Sequence, residues 1–321
     1  MNGEQPVLEV RNLDVTFRKG RQSVSAVAGV SFELYEGETL GLVGESGCGK
    51  STTGKALMQI VEPTGGEILV EGRDLMTLDR KEARRLRTRM QMIFQDPVSS
   101  LNPRRRVKDI VAEPIDCWKT AKGDERDQIV SDILNKVGID PAVYGNRYAR
   151  QFSGGQCQRI SIARSLAMRP SVLICDEVVS ALDVSIQAQI LNLLEDLKKE
   201  YGLTMLFIAH DLAVVKNISD RVAVMYLGKL CEVGPSDTLY STPAHPYTKF
   251  LLGAALEADP DSPIHNETLG GEPPSPLNPP SGCRFRTRCP FATEKCAAEE
   301  PQLREIAPKH QVACHFPLTG Q

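Results

Sequence analysis

The run Gly44-Glu45-Ser46-Gly47-Cys48-Gly49-Lys50-Ser51-Thr52 sits between an apolar, strand-like stretch, Thr39 to Val43, and a helical one, Lys50 to Ile60. A glycine-rich loop between strand and helix turns successive backbone N–H groups inward, and the positive end of the helix adds to them. Such a loop reads as a cradle for the phosphates of a nucleoside triphosphate. Lys50 would reach the β- and γ-phosphates and the Ser51 hydroxyl would bind Mg²⁺. Gly44, Ser46, Gly47, Cys48, Gly49 and Thr52 complete the ATP-binding set. A glycine turn without a ligand needs neither the strand, nor the helix, nor the Lys-Ser pair.

A second run, Val172-Leu173-Ile174-Cys175-Asp176-Glu177, is an apolar strand ending in two carboxylates. At the carboxyl edge of a parallel sheet such acids face the crevice where ligands sit. Asp176 suits holding Mg²⁺ through water, and Glu177 suits polarising an attacking water. Alone, the pair is only a solvated strand end. Behind a phosphate loop it becomes the hydrolytic half of a site. A third run, Phe152-Ser153-Gly154-Gly155-Gln156, opens a helix, with Ser153 as its cap and glycines that leave backbone donors bare.

The fourth candidate lies in the tail, where Cys283, Cys289, Cys296 and Cys314 have five, six and seventeen residues between them. In a reducing compartment such a group reads as a metal site before it reads as disulfides. Structural zinc favours more closely spaced cysteine pairs. These wider gaps suit a cubane iron–sulfur (4Fe–4S) cluster, with zinc or uncoordinated thiols as the alternatives. Arg284, Arg286 and Arg288 between the first two cysteines either offset thiolate charge or are simply solvated.

Positioning these residues takes alternating strands and helices. Short strands are expected at Val7–Val10, Val30–Leu34 and Thr39–Val43, a strand pair over Gly66–Gly72, and a strand at Met90–Phe94. From Asp96 to Arg150 the pattern turns helical, with Ile129, Ile133, Leu134 and Val137 on one face. A helix over Gln156–Met168 follows. The amphipathic helix Ile186–Tyr201 then separates the apolar strands Val172–Cys175 and Met205–Ala209. This predicts an α/β core, a parallel sheet covered on both faces, with a helical insertion. Residues 257–282, rich in proline and glycine, read as a linker to the cysteine tail.

With 321 residues, 41% hydrophobic and 25% charged, there is length for one large core and an appendage. A net charge of -3 gives no argument for a nucleic-acid surface, and Arg84-Arg85 and Arg104-Arg105-Arg106 read as solvated faces. No apolar run approaches the roughly 18 to 20 residues that span a bilayer, and Met1–Glu9 carries no secretory pattern. The expectation is a cytoplasmic protein that other chains hold at a membrane.

The Ser153–Gln156 run, placed ahead of Asp176-Glu177 and behind the phosphate loop, resembles the Leu-Ser-Gly-Gly-Gln signature of the ABC ATPase family, with Phe152 for leucine. The resemblance implies an ABC-type P-loop ATPase core, a RecA-like parallel sheet with an antiparallel β subdomain. To this it adds a helical subdomain at about 97–168 and a small Cys-rich C-terminal extension. The cassette would span 1–244 and the extension 245–321, with the four-cysteine tail at 283–321.

In that frame Gln95 matches the Q-loop glutamine, which joins Ser51 and Asp176 at Mg²⁺, and His210 matches the switch histidine at the γ-phosphate. Asp183, in Ser180-Ala181-Leu182-Asp183, matches the D-loop that communicates across a dimer. Phe17 is either the aromatic that stacks on adenine or a core aromatic of a strand. Val178 stands where the family often has proline, which predicts a looser turn after Glu177. Family members pack head to tail, so each ATP would lie between Lys50 of one chain and Ser153 to Gln156 of the other.

Gln95 through Arg104, His245-Pro246-Tyr247-Thr248, and Pro276 through Pro290 resemble the ATPases of oligopeptide and dipeptide permeases. This implies a peptide importer: a second ATPase subunit, identical or a paralogue, two transmembrane permease chains, an extracytoplasmic substrate-binding protein, and no nucleic acid. The ATPase would sit peripherally on the cytoplasmic face of the membrane. Nickel, glutathione and other solute importers share the tail pattern, and a non-transport ABC regulatory ATPase is the alternative outside transport. The resemblance also points to an iron–sulfur cluster on Cys283, Cys289, Cys296 and Cys314.

Overall fold

The computed structural model describes residues 5–20, 22–256 and 274–318. The chain forms two compact units, one of residues 1–34, 38–76 and 207–321, the other of residues 35–37 and 77–206. Part of the expected linker, residues 257–273, lies outside the described residues.

The first unit opens with β1 (Leu8–Lys19) and β2 (Gln22–Leu34), both much longer than the short strands expected. Leu8, Val10, Leu13 and Val15 of β1 and Val27, Val30, Phe32 and Leu34 of β2 are buried, with polar residues between them. That alternation is the mark of a strand with one wet face, and it hides from a search for apolar runs. Then come β3 (Thr39–Val43), α1 (Lys50–Leu57), β4 (Gly65–Val70) and β5 (Arg73–Asp74). An antiparallel sheet runs β2-β1-β4-β5.

The second unit holds α2 (Arg80–Leu86), β6 (Met90–Ile93), α3 (Pro97–Ser100), α4 (Val107–Trp118), α5 (Gly123–Lys136), α6 (Pro141–Tyr144), α7 (Gly154–Leu166), β7 (Val172–Asp176) and α8 (Val184–Tyr201). β8 (Thr204–Ile208) ends it, at the boundary between the two residue ranges. β6 and β7 pair in parallel from Met90↔Val172 to Ile93↔Cys175, and every residue of β7 is buried. α4, α5 and α7 pack together through buried Ile110, Val111, Ile133, Leu134, Ile160 and Ala163.

The chain then returns to the first unit with α9 (Leu212–Ile218), β9 (Arg221–Tyr226), β10 (Lys229–Pro235), α10 (Ser236–Ser241), α11 (Pro246–Leu256), α12 (Glu294–Ala298), β11 (Arg304–Ala307) and β12 (His310–Val312). The strands order as β11-β12-β10-β9-β3, with β3 and β9 parallel and the later pairs antiparallel. The tail thus adds strands to the sheet that carries the phosphate loop, through Glu232↔Val312 and Val233↔Gln311. Glu232, fully buried, accepts from the N–H groups of Ala244 at 2.7 Å and His245 at 2.9 Å, and faces His310 Nε2 at 2.7 Å. These partners offset the desolvation of its carboxylate. Burial pushes the His245 imidazole down to about 4, and its Nδ1 accepts from the Tyr247 N–H at 3.0 Å. Among the described residues no helix is long and apolar enough to cross a membrane.

Candidate nucleotide site

The loop between β3 and α1 is shaped by backbone that only glycine accepts. Gly44 has φ 152° and Gly49 φ 113°. A Cβ on Gly44 would lie 2.1 Å from the Met225 carbonyl oxygen, and one on Gly49 2.2 Å from that of Ala26. Gly49 caps α1 with no side-chain hydrogen bond, beside exposed Ser46 and Gly47. Lys50 is buried, and its Nζ donates to Gly44 O at 2.7 Å and Glu45 O at 3.0 Å. Ser51 and Thr52 are half-buried at the start of α1. Burial pushes the Cys48 thiol up, so it stays protonated. The loop is therefore fixed in shape by its own backbone, with the Lys50 side chain bonded across it.

The second unit carries the acids. Asp176 is buried at the end of β7, and Glu177 follows with φ 48°. Gln95 Nε2 donates to Glu177 Oε2 at 2.7 Å, which brings the expected Q-loop glutamine onto the expected base. The turn after Glu177 is not loose. Ser180 donates to Glu177 O through its N–H at 3.2 Å and its hydroxyl at 2.9 Å, and Val178 is buried. Ring closure by hydrogen bonds and burial does here what proline would do by its fixed φ.

Ser153 caps α7 in a reciprocal box: its hydroxyl accepts from the Gln156 N–H at 3.3 Å, and the Gln156 side chain accepts from the Ser153 N–H at 3.0 Å. A Cβ on Gly155 would meet Ile186 Cγ2 of α8 at 2.7 Å, so this glycine sets the approach of the two helices, whereas Gly154 has room. Asp183 caps α8 by accepting from the Ile186 N–H at 3.0 Å, and that bond with the Ser185 hydroxyl holds its carboxyl below the usual range.

His210, exposed, precedes Asp211, the cap of α9. Phe17 pairs opposite Val24 and is 46% exposed, which removes the core-aromatic alternative and leaves a ring face open to a base.

In the tail, Cys283, Cys289, Cys296 and Cys314 line one cavity with Phe285 and His315. Burial raises the thiols of Cys283 and Cys289, and takes that of Cys314 to about 11. The neighbouring backbone of Phe285, Phe291 and Phe316 opposes that rise at Cys283, Cys289 and Cys314 respectively, without reversing it. Among the described residues, however, no group of three or more His, Cys, Asp or Glu side chains is set to hold a metal ion. Of the tail arginines, Arg286 lines the cysteine cavity, and its charge opposes the rise of the Cys283 thiol. Arg286 donates to Ser281 O at 2.9 Å, Arg284 donates to Leu227 O, and Arg288 pairs with Glu45 at 2.9 Å. The Glu45–Arg288 pair is the contact to this loop that the sequence does not announce. Its only signal is a carboxylate in a loop built for anions.

A family model described as ABC transporter matches residues 27–180, and one described as Oligopeptide/dipeptide transporter, C-terminal region, matches 231–296. The oligopeptide transport ATP-binding protein OppF of Salmonella typhimurium (strain LT2) is 51% identical over 321 aligned residues, covering 96% of this chain and 95% of the relative. This chain belongs to the ABC transporter family. Within it, the chain is an ATP-binding, ATP-hydrolysing subunit. Two solved ABC cassettes share the fold. CbiO1 from Clostridium perfringens, part of the transporter complex cbiONQ, superposes with TM-score 0.66 at 27% identity, over 80% of this chain and 96% of that one. The cassette MJ0796, a dimer in a post-hydrolysis state bound to ADP and phosphate, has TM-score 0.64 at 28% identity, over 71% and 98%.

Proposed function

We propose that this ABC ATPase energises peptide uptake, as one of two nucleotide-clamping subunits on the cytoplasmic face of two transmembrane permease chains served by an extracytoplasmic binding protein. The observation that carries the cargo class is the match of 231–296 to the oligopeptide/dipeptide transporter region, joined to half-identity with a relative named for oligopeptide transport. Lys50 and the loop N–H groups bind the β- and γ-phosphates, with Thr52 beside them and Phe17 under the base. Ser51, Asp176 and Gln95 would hold Mg²⁺, which when bound would neutralise charge on the phosphates. Glu177 takes the proton of the attacking water, Gln95 orients Glu177, and His210 contacts the γ-phosphate. Ser153, Gly154, Gly155 and Gln156 close over the ATP of the second subunit, and Asp183 faces across that junction.

Two measurements test this. Glu177→Gln should slow phosphate release by about 100-fold or more, the scale of a lost general base, while ATP-driven dimerisation persists. Normal hydrolysis in that variant removes Glu177 from its role. In proteoliposomes with the permeases, a binding protein loaded with di- or oligopeptide should stimulate hydrolysis. Stimulation by nickel or glutathione alone overturns the cargo, and failure to co-purify with any permease overturns transport.

The finer reading of the tail is that Cys283, Cys289, Cys296 and Cys314 hold a 4Fe–4S cluster. The residues fit the group in kind: four thiols line one cavity, the ligand type that such a cluster takes. The cluster would cross-link a small tail whose own core is slight. Iron and acid-labile sulfide, measured after anaerobic purification, decide it; zinc in their place overturns it.

A further inference from the structure

Glu45 of the phosphate loop is held at three points, two of them by the C-terminal extension. Its N–H donates to the Tyr247 hydroxyl at 3.0 Å. Its carboxylate accepts from Arg288 Nη1 at 2.9 and 3.1 Å, while its carbonyl accepts from Lys50 at 3.0 Å. The Arg288 side chain is only 7% exposed and that of Glu45 24%, so water screens the pair poorly. The anchor is firm. Tyr226, Tyr247 and Phe285, all buried, pack on one another with centroids 4.7 to 5.3 Å apart. Arg288 lies beside Tyr226, 3.5 Å from its hydroxyl. A second route runs in parallel. Arg284 donates to Leu227 O, and the next residue, Gly228, donates its N–H to Cys48 O of the same loop at 2.7 Å. Pro274, Ser275 and Pro276 of the extension line, with Glu45 to Cys48, a cavity of about 460 Å³.

A carboxylate inside a loop that must take a triphosphate is a liability, because like charges at this range repel and the partly buried setting strengthens the repulsion. Arg288 cancels it. We propose that Arg288 is a positioning residue for ATP: by neutralising Glu45 and, with Tyr247, fixing its backbone, it makes the extension a working part of this chain's own nucleotide site. The inference rests on the reading of residues 44–52 as the ATP site.

The test uses the full chain and titration with Mg²⁺ and a fluorescent ATP analogue, with Lys50→Ala as the control. Arg288→Ala should weaken binding by about 5- to 50-fold, because the Glu45 carboxylate left without its counter-charge then repels the phosphates. KM for ATP should rise in step, while kcat at saturating ATP stays within about twofold. Adding Glu45→Gln to Arg288→Ala should recover most of the affinity, which a merely structural role for Arg288 would not allow. Arg288→Lys, which keeps the charge, should stay within about threefold of the native chain and covers the case in which the alanine variant does not fold. Native affinity in Arg288→Ala, no recovery in the double variant, or loss in a folded Arg288→Lys overturns the inference. Should Lys50→Ala bind normally, the phosphate-loop reading itself fails and takes this inference with it; should only Lys50→Ala lose binding, the brace alone is wrong.

Discussion

The phosphate loop and the signature turn are both glycine-bearing approaches to a helix N-terminus, yet they are built oppositely. In the loop, Gly44, Cys48, Gly49 and Lys50 are buried, and the backbone is clamped by the Met225 and Ala26 carbonyls, by Gly228 and by Tyr247. In the turn, Ser153 and Gly154 are exposed, and the side chains of Ser153 and Gln156 bond back to each other's backbone N–H. One region is held in shape by its own chain before any ligand arrives. The other is finished locally and left facing outward, as suits a surface whose complement comes from elsewhere. Preorganisation belongs where a triphosphate must be gripped, and openness where a second body must close.

Glycine-to-alanine substitutions break this comparison most directly. Gly44→Ala should have the largest effect, because a positive φ costs about 1 to 3 kcal/mol and the new Cβ drives into a backbone carbonyl that cannot turn away. ATP-analogue affinity should fall by more than about tenfold, together with a lower melting temperature. Gly155→Ala comes next. Its Cβ meets a branch of Ile186, so α7 and α8 must part by a fraction of an ångström, at about 1 to 3 kcal/mol measured by denaturant unfolding. Gly154→Ala should leave the melting temperature unchanged, since its nearest neighbour, Leu182 Cδ2, stands at an ordinary 3.9 Å. Any loss of hydrolysis there would come from the paired subunit's nucleotide alone. A Gly154→Ala chain that melts early, or a Gly44→Ala chain that binds normally, would dissolve the contrast.

Legibility in the sequence followed the same division. Motifs whose chemistry needs consecutive residues, such as Gly44 to Ser51, Asp176-Glu177 and Ser153 to Gln156, are local, and local spacing is what a sequence displays. The buried strands β3, β7 and β8 were legible as continuous apolar runs. Of β1 and β2 only the ends, Val7–Val10 and Val30–Leu34, were legible, because the outward residues elsewhere are polar and the bulges between Val10 and Thr16 interrupt the alternation. The brace on Glu45 joins residues 243 positions apart, and no local pattern marks Arg288 among its neighbouring arginines. β12 escaped for a similar reason: three residues pairing with β10 carry no periodicity of their own.

The smallest effect separates two caps in the same unit. Ser153 caps α7 with a hydroxyl that does not titrate, whereas Asp183 caps α8 with a carboxylate whose pKa is lowered by the Ile186 N–H it accepts from. The Asp183 contribution is complete above the ordinary carboxylate value of about 3.9 and is lost as pH falls from there through the lower folded value, because the unfolded chain takes up the proton first. Ser153→Ala should cost about 1 kcal/mol of stability at every pH and, through the partner's ATP, far more in hydrolysis. Acidification from pH 6 to about 3 should instead lower the hydrogen-exchange protection factor of the Ile186 amide, the observed rate taken against its intrinsic value at each pH, while leaving that of Gln156 unchanged. Asp183→Asn, an equally good cap that cannot ionise, should erase the difference. If both amides loosen together on acidification, or if the asparagine variant keeps the pH dependence, Asp183 is not the group that holds the start of α8.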